Sequence, residues 1–362
     1  MGLMSDFAMA HAAARVWRRV VIAGMALWLC AGLWPAPLHA QPVLGPTASA
    51  LPPLSPVVPA RDIGQWIERM HQAPRNRPYV GTFVVLSSSG AMFSSRIWNA
   101  CDGKQQLERV DGLSGTPRSV FRRNDEVRTF LPQERTVRTE RSDARGLFPQ
   151  MPAVQGASLA RHYEARVLGR ERVAGLESDV VWFKPLDALR FGYRIWSEKE
   201  SGLVVKMQTL GTDGRVLEQA AFSELDLNAS VPMDKLARMM DDVAGYKVIA
   251  PAAVKTTALE EGWQLRQPVA GFVPQSCHKR TVAAPSEALP VLQCLYSDGL
   301  ATVSLFVEPF DAQRHGPQGQ LASMGATQML GQRVVPDAWV TAVGEVPMQT
   351  LRLFVGALER AR

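Results

Sequence analysis

From Tyr79 to Asp226 the sequence has one dominant rhythm: short runs rich in β-branched and aromatic residues, broken by Gly, Ser and Asp turns. Tyr79 to Leu86, the Ser87-Ser88-Ser89-Gly90 turn and Ala91 to Trp98 read as a hairpin. Runs at Gln105 to Asp111, Ser119 to Arg123, Glu126 to Phe130 and Arg135 to Arg141 follow. Ala165 to Arg172 and Ser178 to Lys184 flank Gly175, and Phe191 to Ser197 leads through Ser201-Gly202 into Leu203 to Leu210. Asp213-Gly214, the strongest two-residue hairpin signal in the chain, turns into Val216 to Asp226. About eleven strands in succession, with no 10–15-residue helical pattern between them, exclude a doubly wound parallel sheet. They predict one large, curved antiparallel sheet.

One helix precedes the strands. Asp62 is placed to cap a segment from Ile63 to His71, where Ile63, Trp66, Ile67 and Met70 share a face; Pro74 and Pro78 are expected to end it. Residues 61–230 therefore form a large β domain. Residues 231–258 read as a linker holding a short helix from Pro232 to Val243. A second block, 259–362, has strands at Leu292 to Tyr296, Leu300 to Glu308 and Trp339 to Val346. It closes with a helix beginning at Pro347 that carries Leu351, Phe354, Val355 and Leu358 on one face. The fold class is α+β, with a smaller C-terminal α+β domain after the large one.

Upstream, Arg15, Arg18 and Arg19 precede a 14-residue apolar run from Val20 to Leu33, then Pro35, Pro37 and Leu38-His39-Ala40. This is the layout of a cleaved export signal over residues 1–40, and the run is too short for a bilayer span of about 20 residues. Residues 41–60, with six prolines, read as an extended tether. Loss of the three arginines and Asp6 lowers the formal charge from +6 to +4, which removes the case for nucleic acid that a pI near 9.3 suggests. Export also sets the redox compartment, a periplasm. Of Cys101, Cys277 and Cys294, the last two are expected to pair, closing a loop of about 17 residues worth roughly 3 kcal/mol, with Cys101 left as a quiet thiol.

Chemistry is hard to find. The zinc, nucleophile-elbow, P-loop and dinucleotide motifs are missing, and His71, His162, His278 and His315 stand apart from one another. No catalytic residue, metal site or cofactor is assigned, and the chain is read as a non-enzyme. The stretch from Arg118 to Arg145 holds eight arginines and five acids. It reads either as a solvated, ion-paired face or as a surface for an anionic partner.

Several segments resemble a known family. Gln65-Trp66-Ile67-Glu68-Arg69-Met70, Tyr79-Val80-Gly81-Thr82-Phe83-Val84, Ser94-Ser95-Arg96-Ile97, Leu107-Glu108-Arg109, Tyr193-Arg194-Ile195-Trp196 and Thr212-Asp213-Gly214-Arg215-Val216-Leu217-Glu218-Gln219 are similar to the MucB/RseB family. Gly271-Phe272, Leu295-Tyr296-Ser297-Asp298-Gly299-Leu300 and Val343-Gly344-Glu345-Val346-Pro347 extend the likeness to its C-terminal domain. The resemblance implies a periplasmic negative regulator of the sigma-E envelope-stress response. Its large domain would be a half-open β-barrel like that of lipoprotein carriers. The partner would be the periplasmic part of a membrane-spanning anti-sigma factor, shielded from the site-1 protease, with lipid or lipopolysaccharide as the releasing effector. A homo-oligomer is compatible with this, and a lipid or lipoprotein carrier using the barrel is the alternative. Candidate lipid-lining residues are Phe83 and Val85, for which plain core packing is the competing role. Candidate partner contacts are Tyr296 and Asp298, for which a plain hairpin turn over Tyr296 to Gly299 is the competing and favoured role.

Overall fold

A computed structural model describes Val58 and residues 60–141, 148–152, 156–249, 253–283, 288–316 and 319–361. The expected export signal, nearly all of the Pro-rich tether, and Arg145 lie outside the described residues. Helix α1 spans Ile63–Asn76, and its start is fixed by a reciprocal pair: Gln65 N–H donates to Asp62 Oδ1 at 2.8 Å, and Asp62 N–H donates to Gln65 Oε1 at 3.1 Å. The helix runs past its expected end and holds Pro74 inside. Pro74 lies in the final turn, so its missing N–H costs a single intrahelical bond. The buried Asn99 amide then donates to the carbonyls of Pro74 (2.7 Å) and Arg77 (3.0 Å), satisfying groups that a helix end leaves open.

Eleven strands follow: β1 Tyr79–Ser87, β2 Met92–Cys101, β3 Gln106–Gly112, β4 Ser119–Arg123, β5 Glu126–Leu131, β6 Thr136–Arg141, β7 Tyr163–Val173, β8 Leu176–Pro185, β9 Gly192–Glu198, β10 Val204–Leu210 and β11 Val216–Asp226. Helix α2 spans Met233–Asp241, and β12, Lys247–Ile249, ends the module. Together they form a 12-stranded open sheet in the order β12-β6-β5-β4-β3-β2-β1-β11-β10-β9-β8-β7. Every neighbouring pair is antiparallel except β12–β6. The first hairpins pair outward from β1 while β11 returns to its other side, so chain order reverses at that strand.

Alternation along the strands gives the sheet two distinct faces. On one, Ile63, Trp66, Ile67 and Met70 of α1 pack against Val181, Tyr193, Ile195 and Met207. Trp66, Ile67 and Met70 are fully buried, worth roughly 1.5–3 kcal/mol each. On the other, Leu236 and Met240 of α2 cover Leu107, Phe121, Phe130 and Val137.

The second sheet begins inside the segment expected to be a linker with one short helix and no strand. Strand β13, Ala253–Thr256, lies one short connection after β12 and pairs with the next sheet. Its Pro/Ala-rich surroundings concealed it, because its exposed edge position needs no apolar run. The remaining strands are β14 Trp263–Leu265, β15 Val273–Ala283, β16 Ala288–Ser297, β17 Thr302–Pro309, β18 Gln320–Met324, β19 Thr327–Val335 and β20 Ala338–Gly344. Helix α3, Met348–Ala357, and β21, Leu358–Arg360, complete the chain. Seven strands make an antiparallel sheet, β13-β15-β16-β17-β20-β19-β18, while β14 pairs with β21 separately. Leu351, Phe354 and Val355 of α3 are buried against Val303, Leu305, Val340 and Ala342. Pro347 caps α3 rather than occupying its first turn. Cys277 and Cys294 face each other across β15 and β16 and are joined by a disulfide; Cys101 is free and half-buried.

Candidate partner-binding surface at the seam of the two sheets

The loop between β8 and β9 carries Leu189 and Arg190 out of the large sheet, and the β16–β17 turn carries Asp298 and Leu300 out of the small one. The two projections interlock. Leu300 packs among Tyr163, Tyr193 and Val181 of the large module, while Leu189 packs against the small module's core. Between them Arg190, with 0% of its surface exposed, sits 3.4 Å from Asp298 and donates to the Ala270 carbonyl at 2.8 Å. Its guanidinium lies over the rings of Tyr163 and Phe272.

Asp298 is saturated. Its Oδ1 accepts from the backbone N–H groups of Leu300 (2.9 Å) and Ala301 (2.8 Å), and its Oδ2 accepts from the Tyr163 hydroxyl at 3.0 Å. Burial nevertheless pushes its carboxyl above the usual range, against the opposing pull of those donors and of Arg190. Burial likewise raises the Tyr163 hydroxyl and lowers His162, which also lies beside Arg190. Gly271, at φ +82°, is required here, since a Cβ would fall 2.7 Å from both Arg190 Nη2 and His162 Cε1. Thr350 of α3 donates to the Leu189 carbonyl at 2.7 Å, and Gln349 donates to that of Ala188.

A second contact lies at the same end of the large module's strands, several strands across the sheet. Gly325, in the β18–β19 turn, approaches Ser87, Leu217 and Glu218 so closely that its missing Cβ would lie about 3.0 Å from the Glu218 carboxylate. Burial, with Glu345 adding negative charge nearby, pushes Glu218 up to about 7. Around this contact the surface is apolar. Leu86 pairs with Met92 and Val85 with Phe93 across the β1–β2 hairpin; Leu86, Met92, Phe93, Leu321 and Met324 are all exposed. Leu86 with Met92 and Val85 with Phe93 lie on opposite faces of that hairpin, so apolar groups flank the junction on both sides.

The residues expected to bind are placed as follows. Phe83 and Val85 share the α1-bearing face of the large sheet. The Phe83 ring is buried against Phe148 (5.5 Å) and Phe222 (6.0 Å), whereas Val85 is half-buried toward the rim. Tyr296 is buried against Phe354 at 5.1 Å, in the small module's core, and Asp298 is committed to the seam. The structure thus brings Asp298 together with Arg190 and Tyr163, neither of which sequence reasoning singled out. The only hint was their company, an Arg in a loop directly after Pro185-Leu186-Asp187 and a Tyr opening a strand. In the Arg-rich stretch Arg123 and Arg128 share Glu126 and Asp241 at 2.8–3.4 Å, and Arg138 lies 3.7 Å from Glu134. Among the described residues no three His, Cys, Asp or Glu come together in a way that could hold a metal ion.

An open 12-stranded sheet, interlocked with a smaller disulfide-tied sheet and edged by apolar surface, defines a two-module β scaffold. The chain belongs to the MucB/RseB family, whose N-terminal domain matches residues 62–240 and whose C-terminal domain matches residues 257–359. It is 28% identical over 302 residues to the sigma factor AlgU regulatory protein MucB of Pseudomonas aeruginosa, covering 82% of this chain and 90% of that one. It is 24% identical over 298 residues to the sigma-E factor regulatory protein RseB of Escherichia coli K12, covering 80% and 88%. Among solved structures it is similar to MucB in the MucA/MucB complex of Pseudomonas aeruginosa, with a TM-score of 0.64, 25% identity, and coverage of 83% of this chain and 99% of that one.

Proposed function

We propose that the chain is a periplasmic negative regulator of a sigma-E-type envelope-stress response. It binds the periplasmic part of a membrane-spanning anti-sigma factor and shields it from the first proteolytic cut. The observation that carries this reading is the likeness over both modules to a MucB structure that holds MucA, covering 99% of that chain. A lipid carrier would need only the large sheet, whereas here Leu300 of the second module completes the first module's core.

Lipid or lipopolysaccharide is the proposed releasing effector, entering on the face that bears Phe83 and Val85. By linkage, a lipid that prefers the partner-free state lowers partner affinity by the same factor by which the partner lowers lipid affinity. The test uses the mature protein with the soluble periplasmic region of the cognate anti-sigma factor. Binding in the micromolar range or tighter is expected, with slower cleavage by the site-1 protease and a loss of both on adding lipopolysaccharide. Unchanged cleavage in the presence of saturating protein would sink the shielding role. Partner binding indifferent to lipid would remove the effector alone.

A further inference from the structure

The two large sheets have four outer strands, and three are blunted against further pairing. Strand β7 carries Glu164, Arg166, Arg170, Glu171 and Arg172 and breaks register between Val167 and Gly169. Strand β12 is three residues long, and β13 is four residues long with Lys255 among them. These are the usual devices that keep an edge from recruiting another strand. Strand β18 has none of them. Gln320-Leu321-Ala322-Ser323-Met324 holds no charge and no proline, and it pairs with β19 without a register break. Leu321 and Met324 are 61% and 51% exposed.

The hairpin geometry fixes which backbone groups are open. Met324 and Thr327 close a two-residue turn, so Met324, Ala322 and Gln320 bond to β19, while the N–H and C=O of Leu321 and Ser323 point away from the sheet. Leu321 sits opposite Leu330, which is buried in the small module's core. The core face therefore continues past the last strand and ends uncovered. We propose that β18 is a strand-addition site, at which an extended, alternately apolar segment of the anti-sigma factor's periplasmic region pairs with Leu321 and Ser323 and covers Leu321; this rests on the function proposed above.

Two observations favour such a segment over a second copy of this chain. A five-residue edge is only about 17 Å long, so two of them pairing would fall well short of the roughly 800 Å² per partner of a stable dimer. The edge also ends at Gly325, which lies against Ser87 and Leu217 of the large module, so a longer peptide that continues past Met324 reaches a second module.

The test compares binding of the soluble anti-sigma periplasmic region to the mature wild-type protein and to Leu321→Lys, Ser323→Pro and, as an edge control, Val254→Lys. The first two should each weaken binding about tenfold or more, and the control should leave it unchanged. In the wild type, hydrogen exchange at the Leu321 and Ser323 amides should slow on binding, a readout independent of how the variants fold. Unaltered exchange at both amides overturns the strand proposal while leaving the regulator reading intact. No binding by the wild type overturns the regulator reading itself. A change in sedimentation mass of the variants without a change in partner binding assigns the edge to self-association and overturns the proposal.

Discussion

Two arginine–carboxylate arrangements in this molecule use the same chemistry at different depths. At the seam, Arg190 and Asp298 are both fully buried and join two modules. On the large sheet, Arg123 and Arg128 clasp Asp241 at the end of α2, with half of the Asp241 side chain in solvent. Water discounts the second arrangement and leaves the first at full electrostatic strength, so removing one partner has very different consequences. Buried charge is a commitment; exposed charge is decoration that solvent can replace.

The contrast is broken most forcefully by Asp298→Ala, which leaves the buried Arg190 with only the partly exposed Asp187, 3.4 Å away, as counter-ion. It should cost about 3–5 kcal/mol in chemical denaturation. The double variant Arg190→Met/Asp298→Leu should recover much of that loss, because it removes both charges; no recovery would mean that the hydrogen bonds to Asp298 hold the seam rather than the ion pair. Leu300→Ala should cost about 2–4 kcal/mol, since it empties space in the other module's core. Glu218 supplies the pH test. Its carboxyl is raised from 4.5 to about 7 in the fold, so its contribution is complete below pH 4.5 and is lost as pH rises through 7. Stability should therefore decline by roughly 1–2 kcal/mol between pH 5 and pH 8, and Glu218→Gln should flatten that slope. Asp241→Ala should be the mildest, within about 1 kcal/mol. A loss near that of Asp298→Ala would erase the distinction between the two sites.

The large sheet was nearly transparent in the sequence. All eleven of its expected strands are present, because each is a run of strand-forming residues bounded by turn residues. The expected breaks failed where local chemistry was overruled by distant atoms. Pro74 stays helical since Asn99 receives the freed end of α1, and β12 and β13 exist because neighbouring strands offer partners to an unremarkable run. The β18–β19 hairpin went unread because its first strand, Gln320-Leu321-Ala322-Ser323-Met324, carries no β-branched or aromatic residue. At the seam, Asp298 stood out only as part of a turn. Nothing local in Pro185-Leu186-Asp187-Ala188-Leu189-Arg190 marks its last residue as the counter-charge, since that pairing exists only after both sheets have formed.

The short stretch between β12 and β13 sets a mechanical limit. Ile249 ends a strand pinned to β6, and Ala253 starts one pinned to β15. Four peptide units can span at most about 14 Å, so these two corners remain tethered however the rest moves. Were the Arg190–Asp298 clasp released, the modules could not drift apart; they could only swing about that corner like the covers of a book about its spine. The travel would be greatest at the margin farthest from the tether.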